Sequence, residues 1–359
     1  MVRLAVRGPG YEIHHADVRD YLLSVPDGTF DAVLADPPYG IGYASGPSVS
    51  SWDRSSIAFD QTFWAEIRRV TKPGAVVAAF GHSRTSHRQA VAIEDAGLRL
   101  VDTLAWAKSH GYQAGGRDVS KQLQAAGMDD MAEDHSGFGT HLSPALEPIT
   151  IARNLRAKES LVRAIAEGGS GGLNLVATRI RDDEWAWRMP ISDFTAEDRS
   201  RTPGRAVEGA GLILRGRTAK SESDVDGRMP GNLLLEHAPD CTPAACAVSC
   251  VTVELNKGGR QKYAAGRFPA SRFFTRLAYS PRAPASERPS VDGISAPTVK
   301  PQQLLAWLCA LTVRPGALIL DPFAGSGAVT EAIFKAGGRA VAVEKEAAYV
   351  ALIEGRMRG

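Results

Sequence analysis

The sequence predicts an α/β fold in which a doubly wound parallel sheet carries a large loop-rich insert. Strand-like apolar runs alternate with helix-like segments over residues 1–112, and the same alternation returns over residues 296–359. Residues 113–295 are instead rich in Gly, Pro, Arg and Ser, with scattered strand-like runs. Strands separated by helices favour a parallel sheet covered on both faces, and the two ends of a compact domain often lie close together. We therefore predict one sheet drawn from both ends of the chain and a separate domain inserted between them.

The first part of the predicted sheet domain alternates strands and helices in a regular order. Strand-like segments lie at residues 11–17, 31–35, 75–81 and 98–108. Helix-like segments lie between them at residues 18–25, 63–74 and 84–97. The second helix is predicted to stop at Lys72-Pro73-Gly74 and the third at Gly97, because proline and glycine end helices.

The last part repeats this order around a glycine-rich turn. It contains a helix at 301–312, a strand at 316–320, the turn DPFAGSG at 321–327, a helix at 328–338 and a strand at 339–344. Within the insert, Leu173–Ile180 and Asn232–His237 are predicted to be short strands.

The composition is that of an ordinary globular protein, with 44% hydrophobic and 23% charged residues. No apolar run approaches the ~20 residues that a membrane-spanning helix needs, and the N-terminal segment lacks a signal-peptide core. Four cysteines in 359 residues do not form a disulfide scaffold, so we expect a cytoplasmic protein without membrane contact. The net charge of +2 neither requires nor excludes a polyanionic partner, so any contact with nucleic acid must be local.

The segment GALILDPFAGSGAVTEAIFKAGGRAVAVE has the form of a nucleotide-binding strand–turn–helix–strand unit. Gly325 and Gly327 allow the backbone to approach a ligand, and the next helix offers free N–H groups at its start. Glu344 lies about 20 residues after Gly325, the spacing at which an acid reaches ribose hydroxyls. Thr330 replaces the third glycine of the dinucleotide pattern, which argues against NAD and favours S-adenosylmethionine, a cofactor without a pyrophosphate. A tight turn that only packs helix on strand is the alternative.

The sequence DPPY at residues 36–39 ends a buried strand, because prolines cannot donate ladder hydrogen bonds. Open α/β sheets bind ligands at the carboxyl ends of their strands, so DPPY and the glycine turn face one crevice if their strands are neighbours. The Asp36 carboxylate and the Pro37 carbonyl can accept both N–H bonds of a base amine, which would point its lone pair at a sulfonium methyl group. Pro38 restricts the backbone, and Tyr39 offers a flat face to a flipped-out base. A rigid proline turn is the alternative.

Together the two motifs resemble those of the DNA amino-methyltransferases, and DPPY before the glycine turn is the order of the beta class. The resemblance covers both ends of the chain; the middle resembles the phage-type members more loosely. It implies a doubly wound, Rossmann-like S-adenosylmethionine-dependent methyltransferase sheet with an inserted target-recognition domain. It implies catalytic roles for Asp36, Pro37, Pro38 and Tyr39.

The resemblance also implies cofactor and base contacts. Its cofactor-binding positions are Asp17, Asp36, Lys300, Asp321, Pro322, Phe323, Ala324, Gly325, Ser326, Gly327 and Glu344. Asp17 is expected to meet the cofactor's adenine, and Lys300 leads the segment that resembles the family's cofactor-binding helix. The family often has a histidine where Ala296 stands. The segment LAWAKSHG, with Trp106 and Lys108, resembles the motif beside the target base.

A basic stretch near the end of the insert is a candidate DNA contact. Residues 256–276 contain six basic residues, no acid and four aromatic residues. Its predicted phosphate contacts are Lys257, Arg260, Lys262, Arg267 and Arg272. A solvated basic loop is the alternative.

A cluster of potential metal ligands precedes this stretch. His237, Cys241, Cys246 and Cys250 fall within 14 consecutive positions, and thiolates with an imidazole suit tetrahedral zinc. The usual C-x-x-C spacing is absent, and buried cysteines beside a surface histidine are the alternative. We predict a structural zinc ion, because methyl transfer to an amine needs no metal.

The resemblance implies site-specific methylation of the N6 amine of adenine in duplex DNA by base flipping. Beta-class enzymes with aspartate at the first position of DPPY more often act on adenine; cytosine N4 is the alternative, because both amines need the same two acceptors. An RNA or protein amide methyltransferase and an inactive DNA-binding relative are further alternatives. The expected partner is double-stranded DNA, and a cognate restriction endonuclease is a further candidate.

Overall fold

A ten-stranded sheet forms the centre of the protein in the computed structural model. The structure describes residues 2–42, 51–109, 118–142, 144–180, 229–242, 245–257, 261–263, 266–268, 271, 274–277, 287–291, 293–296 and 298–358. The strands are β1 (Arg3–Gly8), β2 (Tyr11–His15), β3 (Phe30–Ala35), β4 (Thr71–Phe80), β5 (Arg99–Ala107), β6 (Leu146–Arg153), β7 (Leu233–Glu236), β8 (Gln261–Tyr263), β9 (Gly266–Phe268), β10 (Thr275–Leu277), β11 (Ser290–Val291), β12 (Ile294–Ser295), β13 (Leu318–Asp321) and β14 (Arg339–Glu344).

Helices cover the sheet and fill the connections. They are α1 (Val18–Leu23), α2 (Gln61–Val70), α3 (Ser86–Asp95), α4 (Val119–Ala125), α5 (Asp129–Asp134), α6 (Leu161–Gly168), α7 (Val251–Asn256), α8 (Gln302–Thr312), α9 (Ala328–Lys335) and α10 (Ala347–Arg358). Short 3-10 helices span Ser51–Arg54 and Ile57–Phe59. No helix among these described residues is long and apolar enough to cross a membrane.

The sheet order confirms that both ends of the chain build one sheet. The order is β1-β2-β14-β13-β3-β4-β6-β5-β7-β10, so the two last strands of the chain lie between the second and the third. All neighbours between β2 and β4 are parallel; β1 and β6 are antiparallel to their neighbours.

Side chains of alternate residues in the central strands pack on opposite faces of the sheet, in two separate hydrophobic cores, as expected for a doubly wound sheet. Leu34 of β3 packs in a core with Leu308 of α8. Its neighbour Val33 packs on the opposite face in a core with Leu22 of α1 and Trp64 of α2. The predicted fold class is therefore confirmed, with helices on both faces.

The middle of the chain differs from a fully separate insert. Strands β6, β7 and β10 fall within residues 113–295, yet all three pair in the main sheet. The prediction of a strand at Asn232–His237 is confirmed by β7. The prediction of a strand at Leu173–Ile180 is wrong, because the Asn174 side chain accepts a hydrogen bond from the Ala177 N–H at 3.1 Å and the chain forms a turn there.

Candidate active site

The DPPY loop and the glycine turn lie side by side because the strands that precede them are neighbours. β13 pairs with β3 in parallel, with Leu320 opposite Val33, so Asp36 and Pro322 leave the sheet at the same edge. This is the arrangement predicted from the two motifs. Both loops line one cavity of about 1130 Å³.

Most of the residues predicted for catalysis, cofactor binding and base contact line this cavity. They are Asp17, Asp36, Pro37, Pro38, Tyr39, Trp106, Lys108, Lys300, Pro322, Phe323, Ala324, Gly325, Ser326 and Glu344. Two predicted cofactor positions, Asp321 and Gly327, are not among the lining residues. They are the first and last residues of the turn, and Asp321 is fully buried.

The Glu344 carboxylate organises the cofactor end of the cavity. One oxygen accepts a hydrogen bond from the Gly325 N–H at 2.7 Å, and the other accepts one from the Glu346 N–H at 2.7 Å. Burial raises the pKa of Glu344, and these backbone N–H groups act against that rise. A carboxylate has about four lone-pair sites, so both oxygens can accept further bonds from a ligand.

The glycine turn requires backbone conformations with positive φ, which residues that carry a side chain rarely adopt. Gly325 has φ of +53° and Gly327 has φ of +81°. A Cβ atom at Gly327 would lie 2.9 Å from Ile353 Cγ2, so α10 closes against the turn at that point.

Asp321 lies below the turn as a fully buried acid. One carboxylate oxygen accepts a hydrogen bond from the Thr330 hydroxyl at 2.7 Å, and the other has no partner within the described residues. Burial raises the pKa of Asp321 to about 7, although the hydrogen bond from Thr330 opposes the rise. Its surroundings fit a residue that holds the loop, rather than one that contacts a ligand.

At the other end of the cavity, Asp36 belongs to an ion-pair network with Tyr39, Lys108, Glu147 and Lys300. Lys300 Nζ lies 2.9 Å from each carboxylate oxygen of Asp36 and 3.0 Å from Glu147 Oε1. Lys108 Nζ donates to the other Glu147 oxygen at 2.6 Å. Two carboxylates and two ammonium groups thus meet at one end of the cavity, where each charge is paired.

The Tyr39 hydroxyl joins the two carboxylates of this network. It lies 2.7 Å from Glu147 Oε1 and 3.0 Å from Asp36 Oδ1, and it accepts a hydrogen bond from Lys300 Nζ at 2.9 Å. A single phenolic hydrogen is shared between the two acids, with the shorter contact to Glu147. The structure therefore gives Tyr39 a polar role that the sequence analysis, which assigned it a stacking face, did not include.

The charges of the network are fixed by their partners. Burial raises the pKa of Glu147, but Lys300 and Lys108 outweigh it and hold that pKa at about 2. Burial lowers the pKa of Lys300, but Asp36 and Glu147 outweigh it and raise that pKa above its usual value. Burial and the two nearby acids raise the pKa of Tyr39 well above its usual value. At neutral pH Glu147 is a carboxylate, Lys300 an ammonium and Tyr39 a neutral phenol.

Glu147 is the site residue that sequence reasoning missed. It is the second residue of β6, which runs antiparallel to its neighbours, so its start lies at the edge where the parallel strands end. The sequence contains one signal for it, an acid immediately before an otherwise apolar strand in LEPITIA. That signal is weak without knowledge of the strand direction.

The predicted base-contact residues lie next to this network. Trp106 is opposite Glu147 in the β5–β6 pairing, and Lys108 Nζ lies 4.1 Å from the centre of the Trp106 ring. Trp106 is buried, and its Nε1 has no hydrogen-bond partner within the part of the chain that the structure describes. An acceptor on a bound ligand would satisfy this donor.

Asp17 and the basic stretch occupy different places. Asp17 caps α1 by accepting from the Arg19 N–H at 3.0 Å, and its other oxygen lies 3.4 Å from Lys345 Nζ. Lys257 follows α7 and pairs with Glu254. Lys262 lies in β8 and Arg267 in β9, which form a hairpin, while Arg260 and Arg272 lie outside the described residues.

The predicted metal ligands come together away from the cavity. One ligand atom from each of His237, Cys241, Cys246 and Cys250 lies within 4.8 Å of all the others. None of the four lines the cavity.

The fold and site define a class of protein: an α/β enzyme whose ligand cleft lies where the strand order reverses. The family model N6_N4_Mtase, described as DNA methylase, matches residues 30–355. The chain therefore belongs to this family of DNA methylases, and the resemblance stated from the motifs is confirmed.

Two solved structures are similar over most of the chain. The PvuII DNA methyltransferase (cytosine-N4-specific) matches with a TM-score of 0.51 and 11% identity, over 98% of this chain and 88% of that one. The M1.HpyAVI–SAM complex matches with a TM-score of 0.46 and 14% identity, over 97% of this chain and 100% of that one. At this identity the first likeness supports the fold alone.

Proposed function

We propose that this chain transfers a methyl group from S-adenosylmethionine to the N6 amine of adenine in duplex DNA, with the target base flipped into the cavity. One observation carries the proposal: the DPPY loop and the glycine turn end neighbouring parallel strands and line the same cavity. Membership of the N6/N4 DNA methylase family supports methylation of an exocyclic amine. Adenine is proposed because Asp36 stands at the first position of DPPY.

The residues around the glycine turn fit an adenosyl cofactor. Glu344 keeps free lone pairs that can accept hydrogen bonds from ribose hydroxyls. Phe323 forms an apolar part of the cavity wall, and at Gly325 the wall is backbone without a side chain. When bound, the cofactor supplies an electrophilic methyl group on a sulfonium centre.

Asp36 and Pro37 are proposed to prepare the amine. Asp36 Oδ1 accepts from Lys300 and lies near the Tyr39 hydroxyl, whereas Oδ2 accepts from Lys300 alone among the described residues and keeps a lone pair for one amine N–H. The Pro37 carbonyl accepts the other amine N–H. With both N–H bonds held, the nitrogen becomes tetrahedral and its lone pair is directed at the methyl group. After transfer, the nitrogen carries one proton too many, and we propose that this proton passes to the Asp36 carboxylate, which accepts one of its N–H bonds.

Lys300 and Glu147 are proposed to act through Asp36 as positioning residues. Lys300 holds both Asp36 oxygens, and Glu147 with Lys108 holds Lys300 and the Tyr39 hydroxyl. Such fixed orientation is what alignment of reacting groups requires, because a displaced acceptor would let the nitrogen relax to its planar form.

The experiment is to express the protein in a host that lacks DNA methylation and to analyse the nucleosides of its genomic DNA by mass spectrometry. We expect N6-methyladenine, and methylation-sensitive sequencing should then place it in one short recognition sequence. Detection of N4-methylcytosine instead would show that the methyl acceptor is the cytosine N4 amine. Absence of both modified nucleosides, with the protein folded and abundant, would overturn the proposed activity.

Two variants separate catalysis from cofactor binding. Asp36→Asn should lose activity by about 100-fold or more while calorimetry shows S-adenosylmethionine affinity within about threefold of the wild type. Glu344→Gln should weaken that affinity by about 10- to 100-fold through weaker hydrogen bonds to the ribose. Asp95→Asn, which changes an exposed acid at the end of α3, is the control and should alter neither quantity. A cytoplasmic location and a cognate restriction endonuclease stay predictions from the sequence.

A further inference from the structure

We propose that the chain holds one structural zinc ion between His237, Cys241, Cys246 and Cys250, and that this ion anchors α7 to the ends of β5 and β7. The site is distinct from the cavity, because none of its four ligands is a lining residue. It goes beyond the proposed methyl transfer, which needs no metal.

The geometry of the four side chains is close to that of a tetrahedral metal site. His237 Nδ1 lies 3.3 Å from Cys250 Sγ and 3.6 Å from Cys246 Sγ, and all four ligand atoms lie within 4.8 Å of one another. Zinc bonds of about 2.3 Å to sulfur and 2.0–2.1 Å to nitrogen place ligand atoms roughly 3.5–3.8 Å apart around the ion. A small inward movement of the most distant pair completes the tetrahedron.

The donor set selects the metal class and the role. Three sulfurs and one imidazole nitrogen suit zinc, whereas hard cations such as magnesium or calcium require oxygen. Four protein ligands leave no open position for a substrate or water, so the ion would be structural. The Ala247 N–H, which lies 3.3 Å from Cys241 Sγ, supplies a hydrogen bond of the kind that orients a ligating thiolate.

Local structure fixes two of the ligands before any metal binds. His237 follows β7, and its backbone N–H donates to the Leu277 carbonyl on β10 at 3.0 Å. Cys250 is the residue immediately before α7, and both side chains are buried. Cys241 and Cys246 lie in the segment that connects His237 to Cys250. One ion bound by all four residues would therefore link this segment to the end of β7 and to the start of α7.

The site also touches the strand that carries the base-contact residues. The Ser109 hydroxyl donates to the Glu236 carbonyl at 2.6 Å, accepts from the Val251 N–H at 3.1 Å and lies 3.9 Å from Cys250 Sγ. Ser109 comes two residues after the end of β5, next to Lys108. The ion would therefore hold the start of α7 against the ends of β5 and β7, and β5 carries Trp106, which lines the cavity.

The direct test uses the full-length wild-type protein, purified without a chelator and without a polyhistidine tag. Elemental analysis should give about one zinc per chain, and X-ray absorption should show three sulfur ligands near ~2.3 Å and one nitrogen near ~2.0–2.1 Å. Folded protein without zinc would overturn the proposal. Zinc in an oxygen-rich shell, or a disulfide within the cluster under the same conditions, would overturn it equally.

Variants test the ligand assignment. Cys241→Ser, which removes a partly exposed ligand, should retain less than half of its zinc after dialysis against a mild chelator that leaves the wild type loaded. Cys309→Ala removes the buried thiol of α8, outside the cluster, and should keep about one zinc per chain. Full zinc retention by Cys241→Ser under the same dialysis would exclude Cys241 as a ligand and overturn the four-ligand site. If Cys241→Ser fails to fold, the metal analysis of the wild type still decides the proposal.

Discussion

At the scale of single residues, the chemistry of this site depends on which charges are paired rather than on how many are present. Lys300 fixes the Asp36 carboxylate, which is the proposed amine acceptor, and Glu147 balances the charge of the buried Lys300. Removing one partner of a buried pair leaves the other charge uncompensated, which is usually more disruptive than losing the attraction itself.

Glu147→Gln should therefore lower kcat by about tenfold or more while leaving S-adenosylmethionine affinity within about threefold. The amide cannot balance Lys300 and Lys108, so the Asp36 carboxylate loses its fixed position, whereas the cofactor contacts lie at the other end of the cavity. Single-turnover kinetics and calorimetry on the same preparation measure the two quantities. Glu133→Gln, which changes an exposed acid in α5, is the matched control. Equal losses in kcat and cofactor affinity would show that Glu147 supports the fold in general.

Asp321 predicts a pH dependence of stability. Its pKa is about 7 in the folded protein and about 4 in an unfolded chain, so the folded state binds the proton more tightly. Stability should fall as pH rises from about 4 to about 7, by at most about 1.4 kcal/mol per pH unit from this group. Asp321→Asn keeps an oxygen for Thr330 but carries no charge, so denaturant unfolding should show the stability of the variant rising relative to that of the wild type between about pH 5 and pH 7. A difference between the two proteins that does not change with pH would contradict the assignment.

At the scale of elements, the glycine turn is shaped by α10 as much as by its own sequence. Gly327 ends the turn with φ of +81° and faces Ile353 on that helix, so the turn and the last helix constrain each other. The spacing of the glycines indicated a ligand-binding turn, but it did not reveal this close approach.

Gly327→Ala should destabilise the protein through two effects. The left-handed backbone costs about 1–2 kcal/mol with a side chain, and overpacking against Ile353 adds about 1–3 kcal/mol. Gly316→Ala is the matched control, because Gly316 has φ of +76° with nothing within 4 Å of an added Cβ. Equilibrium unfolding of both variants should therefore give the larger loss for Gly327→Ala, and equal losses would mean that Ile353 moves aside freely.

The sequence predicted the repeating elements well because their signals are local. Apolar runs predicted strands β2 to β5, β13 and β14, and helical spacing predicted α1, α2, α3, α8 and α9. Strand β1 and helix α10 were not predicted, and α2 ends at Val70, before Lys72-Pro73-Gly74, which lie in β4. The two motifs were correctly placed in the wall of one cavity. Glu147 escaped because its role arises from the antiparallel direction of β6, which no local pattern encodes. The strand predicted at Leu173–Ile180 failed because one asparagine side chain stabilised a turn that hydrophobic alternation could not reveal.

At the scale of the whole molecule, the basic stretch of residues 256–276 connects helix α7 to a strand of the main sheet. It begins at the end of α7, beside the His/Cys cluster, and ends at β10, which pairs with β7. The last described residues of the stretch therefore belong to the same sheet that carries the cavity.

Neutralising Arg260 and Lys262 together should weaken binding to cognate and unrelated duplexes alike. For every phosphate that is no longer neutralised, the slope of log affinity against log salt should become shallower by about 0.9, while S-adenosylmethionine affinity stays unchanged. Fluorescence anisotropy at several salt concentrations measures this slope. Neutralising Arg156 and Arg163, two exposed basic residues before α6 and in its first turn, serves as the control. Weakening that is limited to the cognate duplex would mean that the stretch reads bases.

The position of β13 and β14 has a consequence for biosynthesis. These strands fill the gap between β2 and β3, so a nascent chain cannot complete the centre of its sheet until Glu344 has left the ribosome. At about 5–20 residues per second, translation keeps the flanking strand edges unpaired for tens of seconds. During that interval the earlier part of the chain exposes apolar edges to chaperones, and it lacks the glycine turn. The complete cavity should therefore form only after residues 1–344 have been translated, and messages cut short before β14 should yield protein for proteolysis rather than a weakened enzyme.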